Sequence, residues 1–281
     1  MSAVAARFAD GRLHLQHGPI DLIIEAFGRA DEVERAYVQA VERFGDILPA
    51  LVGELPVLRR PVGEAYPLLQ GPVARRMAEA VWPHRAAFIT PMAAVAGAVA
   101  DEMLQAMVRG RTLDKAYVND GGDIAIHLAP GQSLRAGIFA QALDGVALLT
   151  HERPVRGTAT SGRGGRSFSL GIADSATVLA ATAAAADAAA TMIANAVNAN
   201  HPAIERRPAL SLDPDSDLGD HLVTVAVGDL PLEIVDAALD RGLAEARRLR
   251  LCGLIDSAAL SLQGHWRLET GGTPLALSEV G

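Results

Sequence analysis

Residues 183–198 read Ala-Ala-Ala-Ala-Asp-Ala-Ala-Ala-Thr-Met-Ile-Ala-Asn-Ala-Val-Asn. A run so rich in alanine has very high helix propensity. A helix coated in methyl groups buries well only if another backbone or a ligand comes very close to it. Asp187, Thr191 and Asn195 fall at i, i+4 and i+8, so they form one polar stripe on this apolar rod. Aromatic residues make up only 4% of the chain, while half of it is hydrophobic. The core is therefore expected to consist of Ala, Val, Leu and Ile with closely approaching backbones.

With 281 residues the chain can bury one large core or two intimately packed subdomains. The net charge of −8 and the single lysine, Lys115, argue against a phosphate-tracking surface and hence against nucleic-acid binding. One cysteine, Cys252, excludes an internal disulfide framework and reads as a small buried apolar residue. Residues 1–10 lack an apolar signal core, and the most apolar stretch, 86–100, is broken by Pro91. These features lead us to expect a cytoplasmic protein that does not bind membranes.

Leu13, Leu15, Ile20, Leu22, Ile23 and Ile24, punctuated by Gly18-Pro19, predict two strands and a turn within 12–26. Val33, Ala36, Tyr37, Ala40, Val41 and Phe44 repeat at helical spacing. They predict a helix from about Asp31 to Leu51, with Asp31 and Glu34 placed as a capping box. Further helices are expected over 71–81, 92–108, 183–198 and 231–249. Strands are expected over 115–118, 124–128, 137–142, 146–149, 176–179, 222–227 and 258–262, and the tail 271–281 is expected to fray. No repeat and no linker divides the chain, so we expect a single domain over 1–281 with its core in 10–265.

Four segments could carry chemistry. A carboxylate and a hydroxyl one helical turn apart, Asp187 and Thr191, can give oxygen ligands to a hard cation such as Mg²⁺. The same spacing also fits simple bonding to a neighbouring loop. Asn119-Asp-Gly-Gly-Asp123 lies between two strands, where its glycines permit positive φ and close approach to a partner; it also reads as an ordinary hairpin turn. Ser161, Arg163 and Arg166, in a Thr/Ser/Gly/Arg loop, suit an anionic group, or a plain surface loop. Asp213, Asp215, Asp217 and Asp220 imitate a calcium loop. However, Leu218 occupies the glycine position and Thr224 the final glutamate position, so a solvated acidic turn fits better. The histidines show no zinc-protease spacing, and there is neither a nucleophile elbow nor a Walker loop.

In order, His17-Gly-Pro-Ile-Asp-Leu, Pro91-Met-Ala-Ala-Val-Ala-Gly, Asn119-Asp-Gly-Gly-Asp-Ile, Thr160-Ser-Gly, Ala173-Asp-Ser-Ala-Thr-Val-Leu-Ala and Ala186-Asp-Ala-Ala-Ala-Thr resemble the uncharacterised branch of the ApbE-like superfamily over roughly residues 10–265. Its characterised members are FAD:protein FMN transferases that use FAD and Mg²⁺. The resemblance implies an α+β fold of antiparallel sheets with packed helices, T-fold-like, with intertwined subdomains and a tendency to form homo-oligomers. It also implies flavin-site roles for Asn119, Gly121, Gly122 and Asp123. The implied metal-holding roles fall to Asp187, Thr191 and the Ala93 carbonyl. Two departures stand out. Ala96-Gly97 replaces the transferases' Lys-Gly, and Ser167-Phe-Ser-Leu-Gly171 replaces their His-x-x-Asp-Pro-x-Thr-Gly. The expected function is thus binding of a flavin-like, nucleotide-like or other anionic ligand with Mg²⁺, with a transferase as one outcome. A non-catalytic ligand binder or an oligomeric structural protein is the alternative.

Overall fold

The computed structural model describes residues 2–140, 143–273 and 275–279. The chain forms two compact units, each assembled from separate stretches. Unit one comprises Met1–Leu134, Leu149–Ala159 and Ala181–Ala188; unit two comprises Arg135–Leu148, Thr160–Ala180 and Ala189–Gly281. The helices are α1 (Ala30–Phe44), α2 (Ile47–Leu58), α3 (Pro72–Val81), α4 (Val95–Val108), α5 (Ala183–Ala196) and α6 (Leu232–Leu251).

In unit one an antiparallel sheet runs in the spatial order Val4–Arg7, Leu13–His17, Ile20–Gly28, Leu113–Asp120, Asp123–Leu128 and Gly157–Ser161. Strands Leu13–His17 and Ile20–Gly28 bury every second residue. That is the period of a sheet with one face on a core. Leu15, Leu22, Ile24, Val118 and Ala125 point into that core, where they meet Tyr37, Ala40 and Phe44 of α1 and Ala98, Met103 and Met107 of α4. α4 lies across Leu113–Asp120 and Asp123–Leu128. Glu102 of α4 binds Arg43 of α1 at 2.9 Å and Arg76 of α3 at 3.4 Å, which ties three helices through one buried carboxylate.

In unit two the strands Ser175–Ala180, Ser257–Leu262 and His265–Glu269 are antiparallel neighbours, and α6 packs on the last two. Ile204–Pro208 pairs with Leu222–Val227. A third sheet orders Leu275–Glu279, Leu143–Thr150 and Ser133–Ala140.

The structure differs from the sequence reading at several points. The first helix stops at Phe44, and a second starts at Ile47 and carries Pro56 inside it. Gly45-Asp46 interrupts what the apolar spacing presents as one rod. The N-cap of α1 is Arg29 without a side-chain cap, so Asp31 and Glu34 form no capping box. Asp31 instead lies in the first turn, where its charge suits the helix dipole. Residues 91–94 form a 3₁₀ turn before α4 begins. Cys252 is exposed just after α6 rather than buried. Residues 275–279, within the tail, form a strand along 143–147. Residues 141 and 142, at one end of the expected strand 137–142, lie outside the described residues. Among the described residues no helix is long and apolar enough to cross a membrane.

Candidate functional site

Strands Leu113–Asp120 and Asp123–Leu128 are joined by two residues, Gly121 and Gly122, with φ of 63° and 115°. Glycine takes two successive positive φ values without strain, which suits the pair to this turn. So short a turn places Asp120 directly opposite Asp123. Directly opposed residues project from the same face of a sheet, and both aspartates are buried, at 4% and 9% exposure. Asn119 alternates to the other face, and its Oδ1 accepts the Gly122 N–H at 2.8 Å. The structure therefore uses Asn119 to brace the turn.

Helix α4 begins after the Pro91–Ala94 turn that contains Ala93. Near the helix start, the Gly97 N–H donates to Asp187 Oδ2 at 3.1 Å. This contact requires two backbones to nearly touch. A Cβ on Gly97 would lie 2.3 Å from the Ala183 carbonyl oxygen and 2.5 Å from its carbon. Glycine on α4 and alanine on α5 thus meet as the low aromatic content foreshadows.

Asp187 keeps some surface accessible. Even so, enclosure by protein raises its pKa well above the usual carboxylate range. The charge of Asp123, a hydrogen bond with the Asp123 side chain, and the charge of Asp120 add to the rise, and the Gly97 N–H opposes it. Three carboxyl groups so close cannot all ionise without a compensating positive charge. A hard divalent cation is one source of such a charge, because it favours anionic oxygens.

Unit one thus brings together Asp187, Asp123 and Gly97, and adds Asp120. The sequence reading names Asp120 only as part of its loop. The signal for it was the loop length, because a two-residue turn makes the flanking aspartates partners. Thr191 follows Asp187 by one turn of α5.

Ser161, Arg163 and Arg166 belong to unit two. Arg163 Nε donates to Asp174 Oδ1 at 2.8 Å, and its Nη2 lies 2.5 Å from the same oxygen. Much of this guanidinium is therefore committed within its own loop. Asp174 Oδ2 also accepts the Gln263 N–H at 2.5 Å. Asn195 Oδ1 accepts the Leu170 N–H at 3.1 Å, and Asn198 Nδ2 donates to the Leu170 carbonyl at 2.9 Å, so the Ser167–Gly171 segment is strapped to the end of α5 and the residues just after it. Asp213, Asp215, Asp217 and Asp220 lie in turns, where the Asp215 N–H bonds Asp213 Oδ1 at 2.9 Å.

Comparison with known proteins places this geometry in context. A UPF0280 protein of Methanothrix thermoacetophila is 41% identical over 132 residues, which is 45% of this chain and 52% of that protein. The chain thus spans about half the length of that relative. A UPF0280 protein of Methanosphaerula palustris is 36% identical over 200 residues, covering 66% of this chain and 78% of that one. Among solved structures, a mutant of the flavin transferase ApbE from Vibrio cholerae superposes with a TM-score of 0.52 at 11% identity, over 96% of this chain and 98% of that one. This likeness establishes the mixed helix and antiparallel-sheet fold. The family model described as AbpE bacteria matches residues 5–268, and the chain belongs to that family.

Proposed function

We propose that unit one holds a divalent cation, Mg²⁺, on Asp187, and through it an anionic nucleotide of the flavin class such as FAD or FMN. The observation that carries this reading is the buried meeting of Asp187 with Asp123 and Asp120. Among the described residues, no group of three or more His, Cys, Asp or Glu side chains is arranged to hold a metal ion by itself. A cation on Asp187 would therefore draw further oxygens from the Ala93 carbonyl and the ligand's phosphates. When bound, it would neutralise charge on a phosphoryl group. The protein's own contribution is to hold Asp187 through the Gly97 N–H and to keep Asp123 and Asp120 beside it. The Gly121-Gly122 turn, braced by Asn119, offers backbone without side chains to an approaching ligand. The fold shared with a flavin transferase supports the choice of ligand class.

Calorimetry with FAD, FMN and ATP, each with and without Mg²⁺, tests the reading. Mg²⁺-dependent binding by the wild type and its loss in Asp187→Ala are expected. Binding by Asp187→Ala at wild-type strength would remove the metal role.

A second reading, a ligand carrier without catalysis, draws on the Ser167–Gly171 segment. Its Leu170 N–H and carbonyl are taken by Asn195 of α5 and by Asn198 just after it, and the segment offers neither a histidine nor an aspartate. Release of AMP from FAD in the presence of Mg²⁺ and a Thr- or Ser-containing acceptor peptide would exclude it.

A further inference from the structure

The first four N–H groups of an α-helix have no acceptor among that helix's own turns. In α5 the N–H groups of the first four residues all have acceptors, the fourth through an ordinary helical bond. Ala185 N donates to Thr182 Oγ1 at 3.1 Å. Ala186 N donates to the Thr182 carbonyl at 3.1 Å. The other two donate to a side chain about eighty residues away: Ala183 N to Asp101 Oδ1 at 3.1 Å and Ala184 N to Asp101 Oδ2 at 2.9 Å. A hydroxyl accepts at one N–H, so Thr182 alone could not serve the whole turn. A two-oxygen carboxylate supplies what is missing, and its charge complements the positive end of the helix.

Asp101 stands one turn after Gly97 on α4, and Asp187 one turn after Ala183 on α5. The bonds Gly97–Asp187 and Asp101–Ala183/Ala184 thus link the two helices at two points, one turn apart along each. The near-contact at Gly97 stops the helices from coming closer, but repulsion does not stop them from separating or sliding. The Asp101 link supplies the attraction and the register. It does so despite the desolvation that raises the Asp101 pKa, a rise offset in part by the Ala184 and Ala183 N–H groups.

We propose that Asp101 is a positioning residue for the cation site: by clamping the first turn of α5 onto α4, it sets the rotation and depth at which Asp187 meets Asp123. This rests on the reading of Asp187 as a cation ligand. Asp101 itself touches neither cation nor nucleotide.

The test is titration calorimetry of the full chain with Mg²⁺ and with Mn²⁺, paired with hydrogen–deuterium exchange, on wild type, Asp101→Ala and Asp101→Asn. Loss of a group that orients a metal ligand typically weakens affinity about ten- to a hundredfold, and that loss is expected for Asp101→Ala. Exchange should quicken in the first turns of α5 and stay unchanged in α6. Asp101→Asn retains one acceptor oxygen and should recover part of the affinity. Wild-type affinity in Asp101→Ala overturns the proposal. If that variant does not fold, Asp101→Asn decides: weaker cation binding with faster α5 exchange supports the proposal, and wild-type affinity despite faster exchange overturns it. A wild-type protein that binds neither cation removes the cation reading and this proposal together, whereas full binding by the Asp101 variants removes this proposal alone.

Discussion

Gly97→Ala sets two physical effects of opposite sign against each other. On an exposed helix the change stabilises by about 1 kcal/mol, because alanine loses less conformational freedom. At Gly97 the new methyl would stand 2.3 Å from the Ala183 carbonyl oxygen, 2.5 Å from its carbon and 2.7 Å from the Ala184 nitrogen. Backbone atoms cannot rotate away as a side-chain end can, so α4 and α5 must part by about 1 Å to restore ordinary contact. Overpacking of this kind costs about 1–3 kcal/mol. The same displacement stretches the Gly97–Asp187 bond from 3.1 Å and the Asp101 bonds from 3.1 and 2.9 Å. Their weakening adds about 1–2 kcal/mol. Net of the propensity gain, the variant should be about 2–3 kcal/mol less stable, which lowers Tm by roughly 5–10 °C for a protein of this size. Urea unfolding followed by far-UV circular dichroism measures it. Gly53→Ala is the internal control: Gly53 lies within α2 with nothing within 4 Å of a built Cβ. It should gain about 0.5–1 kcal/mol. If Gly97→Ala matches Gly53→Ala in sign, the close approach of α4 and α5 is wrong, and the placement of Asp187 goes with it.

Other expectations follow from single contacts. Glu102→Ala removes the shared carboxylate from Arg43 and from Arg76, which keeps Gln105 Oε1 at 3.0 Å. Because those arginines stay 25% and 27% exposed, the loss is discounted to about 2 kcal/mol. An unchanged urea midpoint would show the bridge to be idle. Burial holds the His127 imidazole below its ordinary pKa of 6.5, with Arg156 and His151 adding to the fall and a bond with the Leu113 backbone opposing it. The folded state therefore keeps the ring neutral while the unfolded chain takes up a proton. The stability this contributes is full above 6.5 and is lost as pH falls through the folded value. His127→Gln should flatten the stability profile between about pH 7 and pH 5, and a slope equal to wild type would count against that assignment. In unit two, Asn195→Ala frees the part-buried Leu170 N–H and should cost about 1 kcal/mol. Faster hydrogen exchange confined to residues 167–172 is the signature to look for.

The elements that the sequence makes legible are those whose burial has a period. Ile20–Gly28 alternates strictly, and α5 is readable from composition alone. Strands missed in the sequence lack that signal for physical reasons. Val4–Arg7 is exposed throughout, and Ile204–Pro208 carries Glu205 and Arg207 outward with a register shift between Glu205 and Arg206. Such strands are held by pairing with a neighbour, which no single segment encodes. The break at Gly45-Asp46 is likewise a tertiary matter, since the apolar spacing on either side is helical.

The polar stripe of α5 shows where spacing stops being informative. Asp187 and Asn195 are equivalent in the sequence: polar, two turns apart, surrounded by methyl groups. The structure gives them opposite energetics. Asn195 meets a backbone N–H that would otherwise lack an acceptor in that enclosed place, so the contact stabilises both partners and the residue is a strut. Asp187 meets one N–H and two further carboxyl groups, an arrangement that resists ionisation. A fold gains little by enclosing acids that repel one another, whereas a bound cation would turn the same arrangement from a cost into an attraction. A ligand would differ from a strut in whether its neighbours satisfy its charge, and on that criterion Asp187 is the member of the stripe that fits the cation site proposed above.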